Sequence, residues 1–102
     1  MKVSAGKSRT LLDQPMAVEI EILQEKASAL GRTGAKLRAC VERIRRIEAE
    51  WTGRPEDLRR AEDYRQAVER ASLYRYYLIV QREAVALTAH ADVDRLYPIP
   101  SL

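Results

Sequence analysis

Apolar residues recur along the first half of the chain at alternating spacings of four and three, which is typical of a helix that packs against partner helices. The stripe contains Met16, Ile20, Leu23, Ala27, Leu30, Gly34, Leu37, Val41 and Ile44, followed by Glu48 and Trp51. Ile22, Ala29, Cys40 and Ile47 widen it, which predicts contact with more than one helix. Asp13 and Pro15 favour a helix start. We therefore expect a first helix over about 15–50, roughly 54 Å long.

A short link separates this helix from a second one. Gly53 suits a left-handed helix end, and Pro55 suits the first turn of a following helix. The second helix is expected over about 55–92, and the short link makes it antiparallel to the first. Met16 then lies opposite the region 88–92. The two helices form a predicted hairpin domain over residues 13–96.

The second helix changes character along its length. Its first half carries one apolar seam of Leu58, Ala61, Tyr64, Val68 and Ala71, whereas seven of the eight residues in 73–80 are apolar or aromatic. A second apolar set, which includes Leu73, Tyr77, Val80 and Leu87, lies almost opposite Leu78. A helix that is apolar on both sides must be covered on both sides. We therefore predict an all-α homodimer, a four-helix bundle with these four residues in its interface. A stable monomer would instead indicate a three-helix chain bent at Gly31–Gly34.

The two ends of the chain are expected to lie outside the hairpin. Residues 1–12 show no apolar periodicity and are predicted to form a flexible arm. Residues 97–102 contain two prolines and are predicted to form an extended tail. Tyr97 and Ile99 favour docking of that tail along the helix pair.

A polar cluster interrupts the apolar second half of helix two. Arg75, Gln81, Arg82 and Glu83 are predicted to form a polar network in this region. If this half is buried, the arginines require acidic partners, and Glu19, Glu21 and Glu25 of the antiparallel helix are the expected ones. An alternative is a small-ligand pocket that uses Arg82 and the tyrosines of 74–77.

Charge is unevenly distributed. The chain has a formal net charge of +3, and residues 31–46 alone carry an excess of +5. Such a segment usually pairs with acidic neighbours. A nucleic-acid surface that uses the basic 32–46 segment is an alternative, although no aromatic residue is interleaved there for base stacking.

The residue types present give little support for a catalytic site, a metal site or a membrane span. Cys40 is the single cysteine and is expected to pack as a small hydrophobe, while the single histidine, His90, precedes Asp92 and Asp94 near a helix end. We expect no catalytic residue, no cofactor and no metal. No apolar run has the length of a membrane span or a secretory signal, so we expect a cytoplasmic protein with no membrane partner.

Three stretches of the chain have a characteristic order and spacing when taken together. These are Glu25-Lys26-Ala27-Ser28-Ala29-Leu30-Gly31-Arg32-Thr33-Gly34, Leu78-Ile79-Val80-Gln81-Arg82-Glu83-Ala84, and Tyr97-Pro98-Ile99-Pro100. The chain resembles, from about residue 15 to its end, a family of roughly hundred-residue proteins known only as a domain of unknown function. The resemblance implies a small helical protein and assigns no activity or functional residue.

The function predicted from the sequence is that of a non-enzymatic structural or protein-interaction protein that forms a homodimer. A nucleic-acid-associated or regulatory role and a small-ligand binding role remain as alternatives.

Overall fold

The computed structural model describes the backbone of residues 2–102 and the side chains of residues 16–102. It contains α1 (Lys2–Glu50), α2 (Pro55–Leu58), α3 (Glu62–Ala84) and α4 (Ala91–Leu96), and no strand over the described backbone. The all-α class is confirmed. The molecule is elongated, with principal extents of 79 × 19 × 16 Å.

Helix α1 begins earlier than the sequence predicted. It starts at Lys2 and continues through Pro15, where the first helix was expected to begin. Residue 1 of the predicted flexible arm lies outside the described residues, while 2–12 belong to α1. The lysine, arginine, alanine and leucine residues of this stretch favour helix. Pro15 has no backbone N–H, so it removes only one helical hydrogen bond. Gly31 and Gly34 lie within the same helix, so α1 is continuous there.

Helices α1 and α3 pack against each other as the predicted antiparallel hairpin. Their core contains Leu37, Cys40, Val41 and Ile44 from α1, Tyr64, Ala67, Val68, Ala71 and Leu78 from α3, and Val93 from α4. These positions follow the expected stripes of both helices, because residues three and four apart share one helix face. Near the link, the Tyr64 hydroxyl donates a hydrogen bond to Glu48 Oε2 at 2.9 Å. Leu58 and Ala61 are partly buried beside this core.

The second helix does not extend to residue 92 as predicted. After α2, it runs only from Glu62 to Ala84 and ends with Ala86 at φ 66°. The amide of Leu87 donates to the Arg82 carbonyl at 2.9 Å, and the amide of Ala86 donates to the Glu83 carbonyl at 3.0 Å. This is the Schellman arrangement, in which a left-handed residue satisfies the last carbonyls and reverses the chain.

Gly53 does not adopt the left-handed conformation expected of it, since no glycine in the described residues has a positive φ. Its role is steric. A Cβ built at Gly53 would lie 2.9 Å from Cζ2 of Trp51, and the indole Nε1 of Trp51 donates to the Arg54 carbonyl at 2.9 Å. The absence of a side chain at Gly53 lets the indole fold over the link.

The C-terminal segment folds back along the hairpin. Val93 is fully buried, and Tyr97 and Ile99 pack against the core, which confirms the predicted docking of the tail. The Arg38 guanidinium carbon lies 5.2 Å from the Tyr97 ring centroid. Because the chain reverses after α3, Met16 is 56% exposed rather than opposite 88–92, and that part of the prediction is wrong.

Candidate interaction surface

The first candidate surface is the outer face of α3. Leu73, Tyr77 and Val80 are 47, 44 and 46% exposed, and Leu87, just beyond the helix, is 48% exposed. The spacing of the three helical residues places them on one face, away from the buried Ala71 and Leu78. The structure thus leaves all four predicted interface residues uncovered within a single chain. Their contact with a second copy stays a prediction.

The second candidate surface is the part of α1 that projects beyond α3. Every residue from 16 to 28 is exposed, because α3 ends beside Leu30. Five large apolar side chains in this segment are about half exposed: Met16, Val18, Ile20, Ile22 and Leu23. The sequence did not indicate this surface, because its pattern predicted a second helix long enough to cover it. We call residues 16–28 the projecting segment.

A groove between α1 and α3 forms the third surface. Lys36, Ala39, Cys40 and Arg43 line it from α1, and Arg70 and Tyr74 line it from α3. Lys36 Nζ lies 5.9 Å from the Tyr74 ring centroid, and the Arg70 guanidinium carbon lies 5.6 Å from it. Among the described side chains, none of the three cations forms a salt bridge. We call this the basic groove.

The residues of the predicted polar network make separate contacts, and the acidic partners of the two arginines differ from those expected. Arg82 donates to both carboxylate oxygens of Asp92, at 3.2 and 2.9 Å, and to the Ala89 carbonyl at 2.9 Å. Arg75 Nε donates to Asp94 Oδ1 at 2.8 Å. The expected pairing with Glu19, Glu21 and Glu25 is wrong, because the C-terminal segment folds back and supplies the acids.

The ion pair between Arg82 and Asp92 links the C-terminal segment to α3. Burial of Asp92 opposes ionisation of its carboxyl and raises the pKa. The hydrogen bonds and charge of Arg82 have the opposite effect, as do the backbone amides of Asp92 and Val93. Their combined effect is larger than that of burial, so the pKa of the Asp92 carboxyl is lowered. Glu83 Oε2 lies 3.2 Å from His90 Nε2 in the same region. Gln81, the remaining member of the predicted network, has a buried Oε1 with no hydrogen-bond partner among the described groups.

The residues considered for catalysis and metal binding lie in the core or contact α3. Cys40 is 8% exposed within the core, as the sequence predicted. His90, Asp92 and Asp94 each contact a different residue of α3. Over the described residues, no group of three or more histidine, cysteine, aspartate or glutamate side chains is arranged to hold a metal ion. No helix in that part of the chain is long and apolar enough to span a membrane.

Comparison of the chain with family models, curated proteins and solved structures gave no match in any of the three. The resemblance to a bacterial family of unknown function stays a prediction. The surfaces described above are therefore the basis for a functional proposal.

Proposed function

We propose that this chain is a non-enzymatic structural or protein-interaction protein whose working form is a homodimer with a four-helix core. The observation that carries the proposal is the exposure of large apolar side chains on two parts of one hairpin. Leu73, Tyr77, Val80 and Leu87 provide one part, and the projecting segment provides the other.

The energetic reason is the burial of apolar surface. A fully exposed large apolar side chain contributes about 1.5–3 kcal/mol on complete burial, and each of these contributes less because about half of it is already covered. Contiguous exposed apolar residues on a small protein therefore mark a contact surface. The projecting segment also lacks tertiary packing, and an isolated helical stretch of this length is marginally stable in water. Association stabilises the helix and covers the apolar residues together.

A second copy of the chain is the proposed partner because twofold pairing covers the same surface on both subunits at once. The buried position of Cys40 supports a packing role rather than nucleophilic chemistry. Arg38 and Lys36 of the basic segment contact tyrosine rings within the chain, which supports a structural role for part of that segment.

The test is a comparison of dimer dissociation constants by sedimentation equilibrium. Leu73→Glu and Val80→Glu place a carboxylate among the exposed apolar residues, and each is expected to weaken the dimer at least about tenfold while circular dichroism shows retained helix. Ser72→Glu is the matched control, because Ser72 is an exposed residue of α3 on a different side from Leu73 and Val80. An unchanged dissociation constant in both test variants would remove the α3 face from the proposal.

A further inference from the structure

The packing of α1 on α3 leaves two grooves, and the chain itself covers only one of them. Tyr97 lies against the side of α1 that carries Gly34 and Arg38, and Ile99 packs against the core. Lys36 and Cys40 lie on a different side of α1, since residues two apart on a helix point in different directions. The basic groove on that side is open.

The open groove has the composition of a helix-docking site. Ala39, Cys40 and Tyr74 provide its apolar lining, and Lys36, Arg43 and Arg70 provide charge without an acidic partner among the described side chains. A helix with apolar residues on one face and flanking carboxylates would complement both features.

The projecting segment carries this complementary pattern. Val18 and Ile22 are four residues apart and exposed on one side of α1, and Glu21 and Glu25 lie beside them with the same spacing. Residues 15–30 sum to −2 in charge, whereas 31–46 sum to +5. The acidic half of α1 thus matches the basic groove formed by the other half and α3.

The segment cannot reach the groove of its own chain. Helix α1 is continuous through Gly31 and Gly34, so Ile22 and Cys40 are separated by roughly 27 Å along one helix axis. The same segment of a second copy has no such restriction.

We propose that the projecting segment of each copy docks in the basic groove of the other, so that two α1 helices run antiparallel and each end of the dimer is a three-helix bundle. The proposal rests on the proposed homodimer but replaces its four-helix core, because each end then holds α1 and α3 of one copy and only α1 of the other. A register that brings Glu25 beside Lys36 of the second copy also brings Ile22 beside Ala39 of the second copy. The twofold axis then passes midway between residues 30 and 31 of α1, on the side that carries Ala29 and Arg32.

The experiment places a cysteine pair in a Cys40→Ala background, because Cys40 is buried in the core of its own chain. In the Ile22→Cys, Ala39→Cys, Cys40→Ala triple variant, mild oxidation is expected to give a covalent dimer that disappears when Ala39 is restored, since Ala39 is an exposed residue of the groove. Ile20→Cys is the matched control, because Ile20 is equally exposed but lies on another side of α1, and it is expected to form little cross-link.

The outcomes distinguish a failure of groove docking from a failure of the homodimer. An internal disulfide in a monomer would show that α1 folds back on its own groove, and it would overturn both. A noncovalent dimer of the triple variant that forms no disulfide, or a covalent dimer that persists when Ala39 is restored, would overturn groove docking while the homodimer stands.

A charge exchange supplies a second readout that does not depend on thiol reactivity. Lys36→Glu is expected to weaken the dimer about tenfold, since symmetry repeats the contact twice, and adding Glu25→Lys to the same chain is expected to restore most of the loss. Arg46→Glu makes the same charge change outside the groove and is the control. Failure of Glu25→Lys to restore the dimer would contradict the docked register.

Discussion

Tyr64 of α3 donates its hydroxyl hydrogen bond to Glu48 of α1 at 2.9 Å, where the two helices leave the link. Glu48 is the only charged residue in the apolar stripe of α1. Glu48 interrupts the apolar stripe, and the hydrogen bond gives its carboxylate a partner on the facing helix. Burial raises the pKa of Tyr64, and the hydrogen bond and negative charge of Glu48 raise it further.

Removal of this hydroxyl is expected to destabilise the hairpin modestly. Tyr64→Phe keeps the ring in the core but leaves Glu48 without its donor, so the free energy of unfolding should fall by about 1 kcal/mol. Urea denaturation measures the change. Tyr76→Phe, at a tyrosine of the same helix that is 62% exposed, should have no measurable effect, and an equal loss in both variants would contradict the assigned role of the bond.

The chain reversal after α3 offers a stabilising substitution. Ala86 has φ 66°, a conformation that costs an L-residue with a Cβ about 1–2 kcal/mol and costs glycine nothing comparable. Ala86→Gly is expected to raise the free energy of unfolding by about 1 kcal/mol, after allowing for the greater freedom of glycine in the unfolded chain. Ala89→Gly, where φ is not positive, should not stabilise the protein. Destabilisation by Ala86→Gly would show that the reversal has a different geometry.

The sequence predicted the core more completely than the path of the chain. The stripes that contain Leu37 and Ile44 on one helix and Val68 and Ala71 on the other locate the α1–α3 contact, because burial follows helical period. The end of α3 was missed because an alanine, not a glycine, occupies the left-handed position.

The candidate site was predicted only in part. The exposure of Leu73 and Val80 followed from their position opposite the core, a local property of one helix. The basic groove was missed because Lys36 and Arg70 are distant in sequence and come together around Tyr74 only after the helices pack. The partners of Arg75 and Arg82 were wrong for the same reason.

Acid is expected to weaken the attachment of the C-terminal segment. The pKa of Asp92 in the folded chain is lower than its ordinary value. The stability contributed by the Arg82–Asp92 pair is therefore fully present above that ordinary value and is lost as pH falls through the folded pKa, a window below about pH 4. Urea denaturation across this window should show a steeper loss of stability in the unmodified chain than in Asp92→Asn.

The control for the acid experiment is Glu42→Gln, which removes an exposed carboxylate that forms no salt bridge among the described side chains. This variant should retain the steep loss below about pH 4. Identical profiles for Asp92→Asn and the unmodified chain would contradict the stabilising role of the pair.

The central claim is that two copies associate to cover the apolar surfaces of the hairpin. The most direct measurement is the molar mass of the unmodified chain in solution, by light scattering on a size-exclusion column over about 1–100 µM protein. We expect a mass twice the 11.7 kDa of one chain, with dissociation on dilution if the affinity lies in this range. A well-folded species that keeps the mass of one chain at the highest concentration would contradict the account.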